Sequence, residues 1–185
     1  MDAVSIDVRS ATADRWDDVA TLFGRSGSCW CQVFVQSRSV QARSAKPDAD
    51  DGPPSKRAAL HDEITAAVGW TRVGPRSTLP GVLGNRALAK VLTDDGGVWW
   101  VACFKVDSRR RRAGIGVALL RAAVEYAREH GATAVEGHPV DVAALQAARV
   151  SGSAIYTGTV AMFKAAGFTE VARTYPTRPV MRLEL

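Results

Sequence analysis

The stretch from Val98 to Gly131 constrains the fold more than any other part of this chain. Val98–Val106 reads VWWVACFKV, a nearly continuous apolar run rich in β-branched and aromatic residues. Such a run suits a strand buried on both faces. It passes into Asp107-Ser108, four consecutive arginines (Arg109, Arg110, Arg111, Arg112), and then Ala113-Gly114-Ile115-Gly116. From Gly114 to His130 the pattern becomes helical, with Val117, Leu120, Val124 and Ala127 sharing one face and Gly131 placed to end it. Thr133–Glu136 begins the next strand, so the segment reads strand–helix–strand.

The turn between strand and helix is suited to an anion. The first turns of a helix leave backbone N–H groups without intrahelical partners, and the macrodipole adds partial positive charge there. Gly114 and Gly116 have no side chains to block those groups, and the arginines add full charges and bidentate donors. The combination suits a pyrophosphate. It is not a Rossmann loop, because Leu119 stands where the third glycine belongs. It is not a P-loop, because no Gly-Lys-Ser/Thr follows. The bland alternatives are a solvated basic turn or a nucleic-acid contact. The net charge of +5 leaves both open, but no helix-turn-helix or aromatic-rich basic sheet supports the second.

The rest of the chain reads as one α/β domain with a mixed sheet, spanning residues 1–185. Val4–Ser10 alternates like a strand. Trp16, Val19, Ala20 and Phe23 lie on one helix face behind a Thr12 cap. Gln36–Ser55 is polar and aperiodic and reads as a mobile loop, while Lys56–Ile64 looks helical. Val68–Val73 reads as a strand ended by Gly74-Pro75. A helix is expected over Ser153–Ala166, stopped at Gly167. Two closing strands, Phe168–Arg173 and Pro179–Leu185, would pair antiparallel. Three cysteines in a chain of this size do not suggest a disulfide framework, and no metal site is expected. No apolar run approaches the roughly 20 residues that span a bilayer, and the first residues do not resemble a signal peptide. The expected compartment is the cytoplasm.

Read as R-x-x-G-x-G, Arg111–Gly116 between an apolar strand and an amphipathic helix resembles the acetyl-CoA signature of the GNAT superfamily of N-acetyltransferases. Ala161–Phe168 (AMFKAAGF) resembles that superfamily's second motif, a helix ending in Gly-Phe. The resemblance covers about Val98–Phe168, and a looser likeness to a poorly characterised bacterial branch extends over CWCQ, Gly69–Arg76, Val135–Asp141 and Tyr156–Gly158. It implies an α/β fold whose mixed central sheet is flanked by helices, with two strands splaying apart to take the acyl-CoA. Those strands would be Trp99–Val106 and Thr133–His138. Backbone groups of Cys103, Phe104, Lys105 and Val106 would meet the pantetheine arm. Amides of Arg111, Arg112, Ala113, Gly114, Ile115 and Gly116 would hold the pyrophosphate. Acetyl-CoA would be the acyl donor, and a small-molecule or peptide amine the acceptor, with no nucleic acid and no membrane; a homodimer is allowed.

Three features bear on the chemistry. Phe163 stands where the family's tyrosine would protonate the departing thiolate, which leaves Tyr156 as the nearest phenol unless it is simply a packed aromatic. Glu136 is the first candidate for the base that deprotonates the amine, since partial burial at the splay favours proton uptake by a carboxyl; a surface carboxylate is the bland reading. His138, on the same strand face, is the second and Asp141 the third. Cys103 has no suggested His or Asp partner, so direct attack on the thioester is preferred to covalent catalysis. Trp30 and Trp70 are either core or walls of an acceptor pocket built from Ser28–Phe34, Trp70–Arg76 and the Val140–Ser153 link. The competing function is a non-catalytic acyl-CoA-binding or sensing module of the same fold.

Overall fold

The computed structural model describes residues 6–10, 20, 22–23, 69–93, 96–147 and 152–185. Their elements are β1 (Gly69–Pro75), α1 (Pro80–Leu83), β2 (Val98–Val106), α2 (Ile115–Glu129), β3 (Ala134–Gly137), α3 (Val142–Ala147), α4 (Val160–Ala165), β4 (Thr169–Tyr175) and β5 (Arg178–Glu184). The strands form one sheet in the order β1-β2-β3-β5-β4. β2 and β3 are parallel, and every other neighbouring pair is antiparallel. A parallel pair needs a long crossover, and α2 supplies it.

Two apolar layers enclose the sheet. On one face Val101, Phe104, Val135 and Met181 pack with Leu119, Leu120 and Val124 of α2 and with Phe163 of α4. On the other face Trp100, Ala102 and Val180 pack with Leu79, Val82 and Leu88 from the short turns between β1 and β2. Each fully buried side chain of this size contributes about 1.5–3 kcal/mol. Strand alternation decides which residue serves which layer, as the neighbours Trp100 and Val101 show.

The expected strand, helix and strand at 98–137 are present with ends shifted by no more than a residue or two. The closing pair is a hairpin across Pro176-Thr177. Several expectations change. Residues 6–10 form no strand; Ile6 and Val8 pack against the core, so the alternation there reports burial rather than a ladder. Gly74-Pro75 does not end β1. The two residues pair with Trp100 and Trp99, because β1 is the edge of the described sheet, where a missing N–H costs no ladder bond. The single helix expected over Ser153–Ala166 is two pieces, a 3-10 turn at Gly152–Thr157 and α4. Gly158 breaks it at φ +83, and the Thr159 hydroxyl restarts it by accepting the Met162 N–H at 3.3 Å. The Val140–Ser153 link contains α3, whose first turn is capped by Asp141 accepting the Ala144 N–H at 3.2 Å. Most of the expected Thr12–Phe23 helix, the Gln36–Ser55 loop, the Lys56–Ile64 helix and Trp30 lie outside the described residues.

Candidate functional site

β2 outruns β3. Their pairing begins at Val98 with Ala134 and ends at Val101 with Gly137, while β2 continues to Val106. Cys103–Val106 therefore pair with β1 on one edge, while beyond Val101 the other edge has left its pairing with β3, which opens a gap between the two strands. A β-bulge marks the start of that stretch: Val73 pairs with Val101 but Arg72 with Cys103, leaving Ala102 as the extra residue. A bulge re-aims the side chains beyond it, and Phe104 turns into the α2 layer. The Phe104 ring meets Phe163 edge-on at 6.2 Å. Gly158 lies beside both rings; a Cβ there would sit 3.0 Å from Phe104 and 3.1 Å from Phe163. Gly137 is tighter still, since a Cβ would lie 2.5 Å from the Phe163 ring. Aromatic packing thus closes the α2 side of the gap.

The basic turn opens at the far end of β2. The Asp107 side chain accepts the Arg109 N–H at 3.0 Å, and its carbonyl accepts that of Arg110 at 2.9 Å. The Val117 and Ala118 amides return to the Gly114 carbonyl. Between them, the N–H groups of Arg111 to Gly116 donate to no acceptor among the described residues. Arg112 (φ +65) and Gly114 (φ +78) are left-handed, the backbone form of anion-binding concavities. No atom lies within 4 Å of where a Gly114 Cβ would sit, and Arg109–Arg112 are exposed. Gly116 differs: its missing Cβ admits Met162, whose Cε would be 2.6 Å away, so this glycine serves the packing of α4 on α2.

Glu136 is 2% exposed and occupied on both oxygens. Arg76 Nη1 donates to Oε2 at 2.6 Å and Arg182 Nη1 to Oε1 at 3.1 Å. Arg76 is itself buried and also donates to the Thr93 carbonyl, while Arg182 reaches Glu184 at 2.6 Å. The sequence anticipated a partly buried carboxyl at a cleft. In its place stands a carboxylate clamped between two guanidiniums by charge-assisted hydrogen bonds.

His138 is 6% exposed, on the same face. Its Nε2 lies 2.7 Å from Thr174 Oγ1 and 3.3 Å from the Arg178 carbonyl, and its Nδ1 lies 3.5 Å from Arg178 Nη2. Burial first, and then the Arg178 charge, pushes the imidazole down to about 4, against a smaller opposing pull from the Arg178 carbonyl. The network fits a neutral ring with Nε2–H donating and the Nδ1 lone pair toward the guanidinium. Arg178 also donates to Thr157 at 3.0 Å, and burial lowers its own pKa. The folded-state pKa of His138 lies below its ordinary 6.5, so its contribution to stability is complete above pH 6.5 and is lost as pH falls through about 4. Urea unfolding across that window should show falling stability, and His138→Gln should flatten the slope. An unchanged slope in the variant would assign it to other groups.

Tyr156 is 38% exposed in the Gly152–Thr157 turn, close enough to Arg178 to interact electrostatically. Phe163 is 0% exposed, walled by Phe104 and Phe168, and so belongs to the core. Asp141 caps α3 and pairs with Arg173 at 3.2 Å. Cys103 is buried, and its carbonyl accepts the Thr71 hydroxyl at 3.0 Å. Lys105 places its ammonium over the Phe23 ring at 5.7 Å, and Val106 pairs with Gly69. Trp70 is buried opposite Lys105. The sequence reading missed Arg76, Arg178 and Arg182. Alternation along β5 places Arg178, Val180 and Arg182 on one face and could have paired two of them with Glu136 and His138. No helix among the described residues is long and apolar enough to cross a membrane.

Comparison with known proteins gives the family. No curated protein matches the sequence significantly. Similar solved structures include the GNAT domain of S. lividans PAT, at 15% identity and TM-score 0.49 over 96% of this chain and 89% of that one. A GCN5-related N-acetyltransferase from Kribbella flavida is 17% identical, with TM-score 0.47 over 96% of each chain. Aminoglycoside acetyltransferase AAC(6')-Ib in complex with coenzyme A is 16% identical, with TM-score 0.47 over 95% of this chain and 92% of that one. The family profile described as acetyltransferase (GNAT) matches residues 30–150. Because that match spans more than half of the sequence, the chain belongs to the acetyltransferase (GNAT) family.

Proposed function

We propose that this protein transfers an acetyl group from acetyl-CoA to a primary amine. The observation that carries the reading is the run of undonated amides from Arg111 to Gly116, open at Gly114, where β2 outruns β3. The cradle fits a pyrophosphate: it offers successive N–H groups, a helix N-terminus and exposed guanidiniums, with no side chain at left-handed Gly114. The gap-facing backbone of Cys103, Phe104, Lys105 and Val106 is the complementary edge for an extended arm. Acetyl-CoA supplies an activated thioester. The chain's own residues bind it, orient it and exclude water, with Phe104 and Phe163 closing the α2 side.

Direct attack requires a neutral amine. Glu136 and His138 both have their acceptor atoms turned to guanidiniums, so in this reading they hold the cleft wall and water takes the amine proton. Tyr156, part-exposed beside Arg178, is the phenol available to return a proton to the departing thiolate. One observation favours the second reading, a non-catalytic acyl-CoA-binding module: the helix that would carry the family's tyrosine carries buried Phe163. Thiol release from acetyl-CoA, measured with a panel of primary amines, separates the two. Saturable amine-dependent release is the expected result. A CoA-induced rise in melting temperature without such release would favour the binding module, and absence of both would overturn the reading.

A further inference from the structure

The root of the gap between β2 and β3 is closed by side chains on both faces of the sheet. On the α2 face stand Phe104 and Phe163, both buried and edge-on at 6.2 Å. Phe163 has no room to withdraw. Phe168 meets it edge-on at 4.9 Å, and a Cβ on Gly137 would lie 2.5 Å from the same ring. The backbone at Gly158 presses on Phe104 and Phe163 together, with no space left there for a side chain. That backbone is fixed to the chain beyond β3: the Gly158 carbonyl accepts the Val140 N–H at 2.9 Å, and the Val140 carbonyl accepts the Val160 N–H at 3.0 Å. On the opposite face Trp100 and His138 are buried, with ring centroids 6.5 Å apart. At the root itself the strands are still paired, Val101 with Gly137. An interior packed in this way does not take up extra methylenes without strain.

In the acyl-transfer reading, on which this inference rests, a pantetheine arm anchored at Arg111–Gly116 runs back along Val106–Cys103, about 10 Å of strand, and brings its thioester to that root. We propose that Phe104, held in place by Phe163 and Gly158, sets the length of the acyl chain: it admits acetyl and excludes butyryl and longer groups. Isothermal titration without amine, using CoA, acetyl-CoA, butyryl-CoA and octanoyl-CoA, reads the effect independently of turnover. In an open apolar site the longer chains would bind more tightly, because each added methylene leaves water. The expected order is the reverse, with butyryl-CoA and octanoyl-CoA at least about tenfold weaker than acetyl-CoA, a loss in the range for overpacking a core. Phe104→Ala removes the ring, and butyryl-CoA should then bind within about threefold of acetyl-CoA. General damage to the site would weaken both donors alike and leave their ratio unchanged. If Phe104→Ala does not fold, Phe104→Leu takes its place and should recover part of the butyryl-CoA affinity. Butyryl-CoA or octanoyl-CoA bound as tightly as acetyl-CoA by the unmodified protein, or a ratio unmoved in the folded variant, overturns the proposal while leaving acyl transfer intact. Failure of CoA itself to bind would overturn the acyl-transfer reading and this inference with it.

Discussion

Glu136→Gln should unfold in urea with about 3–5 kcal/mol less stability than the unmodified chain, the usual cost of breaking a buried ion pair from one side. The side chain of Glu136 is enclosed in the sheet face with Arg76 at 2.6 Å, and Arg76 is itself buried. The amide that replaces the carboxylate keeps the shape but leaves that guanidinium without a counter-charge in a low-dielectric setting. Arg182 suffers less because it retains Glu184 at 2.6 Å. Replacing the inner pair together, Arg76→Met with Glu136→Leu, should cost less than Glu136→Gln alone, since the desolvation of both charges is removed with their attraction. The same single variant tests the base. Under conditions where it remains folded, turnover within about tenfold of the unmodified enzyme supports a wall role, whereas a loss of about 10²–10⁴ would restore Glu136 as the general base. A stability change below about 1 kcal/mol would show that the clamp is not formed in solution.

Gly114→Val should abolish the stabilisation that CoA confers. A ligand bound only by the native state raises stability by about 2.7 kcal/mol at a hundredfold excess over its Kd, and the variant should lose nearly all of it. Two effects act together. The residue sits at φ +78, where a β-branched side chain is strained, so the turn must relax and scatter its amides. The position is also open, with no atom within 4 Å of the added Cβ, so the new side chain would project into the space an anion needs. Gly116→Ala is the control. Its added methyl meets the flexible end of Met162, which can move, so the CoA-induced shift should survive with a modest loss of stability. A full CoA-induced shift in Gly114→Val would remove the cradle from the mechanism.

The 98–131 segment was legible because its determinants are local. A continuous apolar run, a change of hydrophobic period and a glycine at each end of the helix state their structure within a few residues, and the turn carries its own charge. The break at Gly158 was also written locally, in Gly158-Thr159, yet the apolar pattern around it read as one helix. Only the contact with Phe104 and Phe163 shows why a residue without a side chain must stand there.

The roles of individual polar residues were not local. Glu136 read as a free carboxylate on a strand because its partners, Arg76 and Arg182, lie 60 and 46 residues away in the chain. The bulge at Ala102, which turns Phe104 toward α2, depends on how β1 pairs with β2 and leaves no mark in either strand's sequence. By itself the sequence determined the strand–helix–strand order at 98–137 and the strand buried on both faces, and it pointed to a basic glycine turn suited to an anion, since periodicity and helix-terminal chemistry act over one or two turns of chain. Tertiary structure alone decided which carboxylate is clamped, which imidazole is held neutral and which glycine is open, because burial and charge pairing depend on neighbours that only the assembled sheet brings within a few ångströms.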